Sequence, residues 1–394
     1  MPREVVVVNG ARTPMAEYNG RFRNLTEIEL GAHAGRAALA RSRVPPGAVD
    51  HVVMGNALQT SGNAAYGARH VGLKAGLPVT VPALTVNRLC GSGIQSIVSA
   101  AHMIREEEAE IVLAGGMENM SQAPHVIRGA RSGFRLGEGR LEDLLTAALL
   151  DGHCGLMMAE TAEVLARESG VTRRECDAYA VRSQAAAEAA WKAGRIQEEI
   201  VPVEVREKGR MVPVAEDDHR RADTTLEALA DLPSAFGKGE LVTAGNASGI
   251  VDGAAAVVVA DAARARREGL DPLGRIVGWA SVGVEPRIMG IGPVPAIREA
   301  LRRAGLALGD VDLFEINEAF AAQYVAVEKA LELPRERVNV NGGAIALGHP
   351  LGATGTRLVL TLLMELRRRR GRYGVASACI GGGQGIAIIV EGLS

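Results

Sequence analysis

Residues 34–57, AGRAALARSRVPPGAVDHVVMGNA, recur in diverged form at 296–319 as AIREALRRAGLALGDVDLFEINEA. At a constant offset of 262, Arg36, Ala38, Leu39, Arg41, Gly47, Val49, Asp50 and Ala57 meet identical residues, beginning with Arg36 against Arg298. Each copy reads as a helix, a glycine-containing turn and an apolar strand. Two copies of one such unit must adopt similar folds within a single chain, which excludes most other architectures.

The following segments correspond more loosely. VNRLCGSGIQSIV stands against VNVNGGAIALGHPLGATGTRLV, AEIVLAGG against YGVASACIGG, and DGAAAVVVA (252–260) against QGIAIIVEG (384–392). The last two strands nearly touch in the second copy, but in the first a long stretch, 118–245, separates them. That stretch is richer in charge and helical pattern. The organisation expected is therefore two similar α/β halves, with residues 1–117 and 246–266 forming the first and 267–394 the second. Residues 118–245 form an insertion over one of them. Buried strands alternating with amphipathic helices predict layered α/β architecture with mixed sheets. Duplicated halves commonly place a site where equivalent strand-to-helix turns meet.

Composition narrows the function. Hydrophobic residues make up 47% and aromatics 3%, so Ala, Val, Leu and Ile build the core. The formal net charge of −2 does not provide the field of a general nucleic-acid binder. The run RRRR at 367–370 follows LVLTLLMEL and reads as the solvated end of a helix. The amino terminus runs straight into a buried-strand pattern, and no apolar stretch has the roughly 18 residues of a membrane span. Cys90, Cys154, Cys176 and Cys379 lie far apart, with no CxxC pair, which predicts free thiols and a cytoplasmic location. Asp151, His153 and Cys154 have metal-ligand chemistry but no defined ligand spacing, and an exposed loop is the expectation there.

Four loops carry candidate chemistry. Cys90 precedes Gly91, Ser92 and Gly93 and opens the helix IQSIVSAAHMI. Unsatisfied N–H groups and the dipole at such a terminus lower a thiol pKa, and they suit a nucleophile with an oxyanion pocket beside it. A small buried hydrophobe is the alternative. His349 occupies nearly the matching turn of the second copy, and a His beside a thiol is the usual way to generate thiolate. Cys379, in SACIGGGQG, suits proton transfer to carbon or simple core packing; the glycines there lead into a strand, so a Rossmann reading fails. Asn317, in INEAF, can orient a water or a carbonyl, or merely cap a turn.

Together these loops resemble the thiolase family. NRLCGSG, GGMENMSQAP, TAGNASGIVDGAAA, INEAF, NVNGGAIALGHPLGATGTR and CIGGGQG stand in the family's order and spacing along the whole chain. The resemblance implies a five-layered α-β-α-β-α arrangement of two similar halves with an inserted loop domain. It implies Cys90 as the acyl-accepting nucleophile and His349 as its activator. Cys379 is implied as the acid and base at the α-carbon. Asn317 is implied to hold a water that, with His349, stabilises an enolate. The N–H groups of Cys90 and Gly381 are implied to form a second oxyanion hole.

Coenzyme A, acetyl-CoA and 3-oxoacyl-CoA are the implied substrates, with no permanently bound cofactor and no metal. Arg221 and Thr224 are implied to contact the nucleotide end of coenzyme A, and Ser248 its pantetheine arm. Met158, Met289 and Phe320 are expected to line a short acyl pocket. A homodimer or homotetramer is implied, with GGMENMSQAPHVIRGARSGF placed to build the assembly.

Departures from the pattern bear on subtype. Family members specialised for making acetoacetyl-CoA carry His-Met-Gly before a TAEN segment. Here Met157 replaces that His, Ala159 the Gly and Val164 the Asn. RHVGLKAGLPVTVPALTVNRLCGSG, SRVPPGAVDHVVMGNALQT and IMGIGPVPAI look most like the mitochondrial type of 3-ketoacyl-CoA thiolase, whose work is fatty-acid β-oxidation. The alternative is a biosynthetic acetyltransferase joining two acetyl-CoA. A 3-ketoacyl synthase resembles a Cys-His-His set, against which Asn317 and Cys379 argue. A non-catalytic CoA- or lipid-binding relative is expected to have lost one of the four groups.

Overall fold

A computed structural model describes residues 3–235 and 239–393. The first half contributes strands β1 (Val5–Arg12), β2 (His51–Gly55), β3 (Ala83–Val86), β4 (Ile111–Glu118) and β5 (Val251–Asp261). The second contributes β6 (Gly274–Gly283), β7 (Leu313–Ile316), β8 (Tyr373–Ile380) and β9 (Gln384–Gly392). Hydrogen bonding follows the order β7-β8-β9-β6-β1-β5-β4-β2-β3. Each half therefore has the same local order, with the last-formed strand between the first and its neighbour.

Pairing directions repeat as well. β2 is parallel to β3 and β4, and β4 is antiparallel to β5. β7 is parallel to β8, and β8 is antiparallel to β9. Where the second half needs a counterpart of β3, Val338 makes a single parallel bridge to Phe314. The halves join at a short antiparallel seam, Val6 with Arg275 and Val7 with Gly274.

The strict alternation of side chains in a strand explains the layers. Val6 and Val8 face outward onto helix α1 (Glu27–Ser42), with Ile28, Leu30 and Ala34. Val5 and Val7 face inward, onto a core shared with Val257, Val259, Ile388 and Val390 from both halves. Two helices fill that inner layer, α2 (Ser92–Arg105) and a later one spanning Leu351–Arg369. On the outer face of the second half's strands, Val375, Ala387 and Ile389 pack on helices Pro293–Ala304 and Ala321–Leu331. The result is the expected α-β-α-β-α stack.

Between β4 and β5 the chain makes its long excursion. It carries short hairpins and helices α3 (Met158–Glu168) and α4 (Arg173–Lys192). α4 starts at a capping box, with Thr172 and Glu175 satisfying each other's N–H groups. Both helices pack on the second half, where Tyr179 stacks on Tyr324 with centroids 4.1 Å apart. With α5 (Pro293–Ala304), α6 (Ala321–Leu331) and α7 (Leu351–Arg369), the helices that position the site are complete.

α2 and α7 cross at their first turns, and glycine permits the contact. A Cβ on Gly93 would stand 2.4 Å from the Thr356 nitrogen, and one on Gly355 2.3 Å from the Ile94 nitrogen. These crossing N-termini bring the two equivalent turns of the repeat together.

Candidate active site

Cys90 lies in a 3₁₀ turn, Leu89–Gly91, that runs directly into α2. Leu89 has φ 46°, a left-handed conformation that a branched side chain rarely adopts, so the turn is strained beside the thiol. His349 precedes α7, and its backbone N–H donates to the Gly249 carbonyl at 2.9 Å. Cys379 sits near the end of β8, fully buried. Asn317 follows β7, and its N–H donates to Ser377 O at 2.9 Å. Its amide nitrogen Nδ2 lies 3.3 Å from His349 Nε2, and its Oδ1 has no partner among the described residues.

One apolar pocket collects most of these groups. Cys90, His349 and Cys379 line it, together with Ser248, Met158, Met289 and Phe320. Met120, Leu149 and Met157 complete much of the wall. The Gly381 N–H favours the charged form of the Cys90 sulfur. A Cβ at Gly381 would press on Met158 Sδ at 3.2 Å and Leu89 Cδ1 at 3.3 Å, so glycine lets this N–H approach the thiol. Ser248 is tied to the INEAF loop, its N–H donating to Ala319 O at 3.1 Å.

Arg221 and Thr224 lie outside the pocket. Arg221 is exposed and reaches Glu17 at 3.4 Å, while Thr224 Oγ1 donates to the Arg221 carbonyl at 2.8 Å. Between them and the pocket lies His219, which packs over Gly249: a Cβ there would stand 2.5 Å from the ring. Asp151 accepts from the His153 N–H at 2.8 Å in a local turn. Among the described residues no three His, Cys, Asp or Glu side chains gather as a metal site.

The electrostatics correct one expectation. A helix terminus was expected to lower the Cys90 pKa, yet burial pushes this thiol up to about 11, with the Gly381 N–H acting in the opposite direction. The dipole of one helix end is worth about 0.3–1 kcal/mol, under one pKa unit, whereas desolvation can shift a group by several units. Desolvation wins. Burial, then the Cys90 charge, pushes the Cys379 thiol far above the usual thiol range. His349 is pushed down to about 3 by burial and then by Arg357. The resting pair is therefore an uncharged thiol beside an uncharged imidazole.

This has a measurable consequence. Iodoacetamide alkylation of Cys90 in the free protein is expected to rise about tenfold per pH unit between pH 7 and 9, as thiolate forms below its pKa. A rate flat across that range would reveal a preformed thiolate–imidazolium pair and contradict the neutral one.

Supporting groups lie inside the motifs without being marked by them. Glu118 ends β4 and accepts from Asn56 Nδ2 at 2.9 Å and from the N–H groups of Ala57, Leu58 and Gly352 at 3.0, 2.9 and 2.8 Å. Burial pushes this carboxyl up to about 8, while the N–H donors pull the other way. It ties the first half to the start of α7. Glu318 accepts from Tyr179 OH at 2.6 Å, Ser183 Oγ at 2.7 Å, Asn339 Nδ2 at 2.9 Å and Ile345 N at 3.1 Å. It fixes Asn317 between the insertion and the His349 loop. Arg357 on α7 pairs with Glu315 on β7 at 3.0 Å, both buried. The available sequence signal was a carboxylate inside an otherwise apolar stretch, as in GGMEN and INEAF.

Comparison with known proteins identifies the family. Residues 5–263 match the family model "Thiolase, N-terminal domain" and residues 270–392 match "Thiolase, C-terminal domain". The chain is 53% identical to human mitochondrial 3-ketoacyl-CoA thiolase over 390 residues, covering 99% of this chain and 98% of that protein. It is 48% identical to the acetyl-CoA acetyltransferase of Escherichia coli, covering 100% of both. The crystal structure of human mitochondrial 3-ketoacyl-CoA thiolase superposes with a TM-score of 0.97 at 52% identity, covering 99% of each chain. That of the Bacillus anthracis acetyl-CoA acetyltransferase also gives 0.97, at 45% identity, covering 100% of this chain and 99% of that one. With both family models matched end to end around one pocket of two thiols and an imidazole, the chain belongs to the thiolase family.

Proposed function

We propose that this thiolase is an acyltransferase that cleaves 3-oxoacyl-CoA with coenzyme A, giving acetyl-CoA and a shortened acyl-CoA, and catalyses the reverse condensation. The observation that carries the reading is the convergence of Cys90, Cys379 and His349 on one apolar pocket beside Asn317. The Cys90 sulfur attacks the C3 carbonyl while His349 Nε2 takes its proton. The oxyanion is held by the N–H groups of Cys90 and Gly381. Breaking C2–C3 leaves an acyl thioester on Cys90 and the enolate of acetyl-CoA. Its oxygen is stabilised by the Nε2–H now on His349 and by a water held by Asn317. Cys379, kept protonated by its burial, gives its proton to C2. The Cys379 thiolate then deprotonates incoming coenzyme A, whose sulfur takes the acyl group. Cys90 leaves and recovers its proton from His349.

Coenzyme A runs from the pocket past Ser248 and His219 toward Arg221 and Thr224. A known structure of human mitochondrial 3-ketoacyl-CoA thiolase in complex with CoA, at 52% identity, supports this ligand class. A degradative role in β-oxidation is supported by the Met157 and Met158 wall, which is apolar where specialised condensing members carry a His. Assembly into a homodimer or homotetramer is supported by exposed Ile127, Phe134, Leu136 and Leu141 on one segment and by the open edge of β3, where Leu84 is exposed. A reducing, cytoplasmic setting suits four free thiols.

The test compares thiolysis of acetoacetyl-CoA with that of a medium-chain 3-oxoacyl-CoA. Comparable kcat/KM on both is the expected outcome; activity on acetoacetyl-CoA alone would replace the degradative reading with the biosynthetic one.

A further inference from the structure

We propose that Thr354 is a positioning residue that selects the working tautomer of His349. This rests on the thiolase reading, in which Nε2 must be unprotonated to accept the Cys90 proton. His349 Nδ1 lies 2.6 Å from Thr354 Oγ1. The same hydroxyl donates to the Pro350 carbonyl at 3.0 Å, one helical turn back. Thr354 is fully buried, so bulk water does not compete for it.

A hydroxyl has one proton and two lone pairs. With its proton on Pro350 O, Thr354 can only accept from Nδ1–H. The ring proton is then on Nδ1, and the Nε2 lone pair faces the Asn317 amide nitrogen at 3.3 Å. In the opposite arrangement the Thr354 proton points at Nδ1, the ring proton moves to Nε2 and the Asn317 amide turns over. That ring cannot receive a proton from Cys90. Burial keeps the resting imidazole neutral, so the choice between tautomers decides whether the base is ready.

Histidine-selective 15N spectroscopy of the full chain reads the tautomer directly, with the His349 signal assigned by its loss in His349→Asn. A proton on Nδ1 is expected; a proton on Nε2 overturns the proposal whatever the activity. Thr354→Val keeps the shape but cannot accept. It is expected to lower kcat about 10²-fold with KM nearly unchanged and to alter the His349 pattern, because a mis-set base loses much of general-base catalysis. Thr354→Ser is expected to restore both. A Thr354→Val protein with wild-type kcat, or a Thr354→Ser protein without Nδ1 protonation, contradicts the assignment. Should Thr354→Val not fold, the spectra of the unmodified chain and of Thr354→Ser still decide. Failure of the thiolase reading would instead appear as an active Cys90→Ala protein, leaving the tautomer result standing.

Discussion

Cys90→Ala is expected to abolish thiolysis and condensation together, lowering kcat by roughly 10⁵- to 10⁶-fold, the scale of deleting a covalent nucleophile. The size of the loss follows from the two-step chemistry. Without Cys90 there is no acyl carrier, and coenzyme A must attack the 3-oxo carbon while the α-carbon leaves. The oxyanion N–H groups, the Met-lined wall and Ser248 all remain, so coenzyme A affinity by calorimetry is expected to change by less than about threefold, under 1 kcal/mol. A Cys90→Ala protein that turns over like the parent would remove the covalent mechanism entirely.

Cys379→Ser is expected to divide the reaction. Acyl transfer onto Cys90 survives, because the coenzyme A thiolate can leave without a proton from Cys379, whereas exchange of the acetyl-CoA α-proton and carbon–carbon cleavage fall by roughly 10²- to 10⁴-fold, the range of losing a general acid–base. Cys379 is buried against Met289, Ala319 and Phe320, where a hydroxyl fits but is a far weaker acid than a thiol. The measurement is deuterium incorporation into the methyl group of acetyl-CoA, set beside release of coenzyme A from acetyl-CoA. Equal losses in both would mean that Cys379 shapes the pocket rather than moving a proton.

How much of this was legible follows from how local each cause is. The repeat offset predicted two equivalent halves because the same helix–turn–strand unit recurs; which valines face which layer was not assigned, although strand alternation decides it. β1 obeys it, with Val5 and Val7 inward and Val6 and Val8 outward. Cys90 and His349 were legible as a pair because they occupy matching turns, and the crossing of α2 and α7 at Gly93 and Gly355 brings those turns together. The thiol pKa was not legible. It depends on walls supplied by distant residues such as Met158 and Leu351, which outweigh the local helix end. Glu118 is a similar case, since one of its donors, Gly352, is 234 positions away. Thr354 lies within GHPLGATG, but its role appears only with the hydroxyl placed between Nδ1 and the Pro350 carbonyl.

The most direct test of the account is to mix Cys379→Ser protein with acetyl-CoA, quench, and locate any acetyl group by peptide mass mapping. One thioester-linked, hydroxylamine-labile acetyl group on Cys90, with matching release of coenzyme A, is the predicted result. An unmodified Cys90, or acetyl on Cys154 or Cys176 instead, would contradict it.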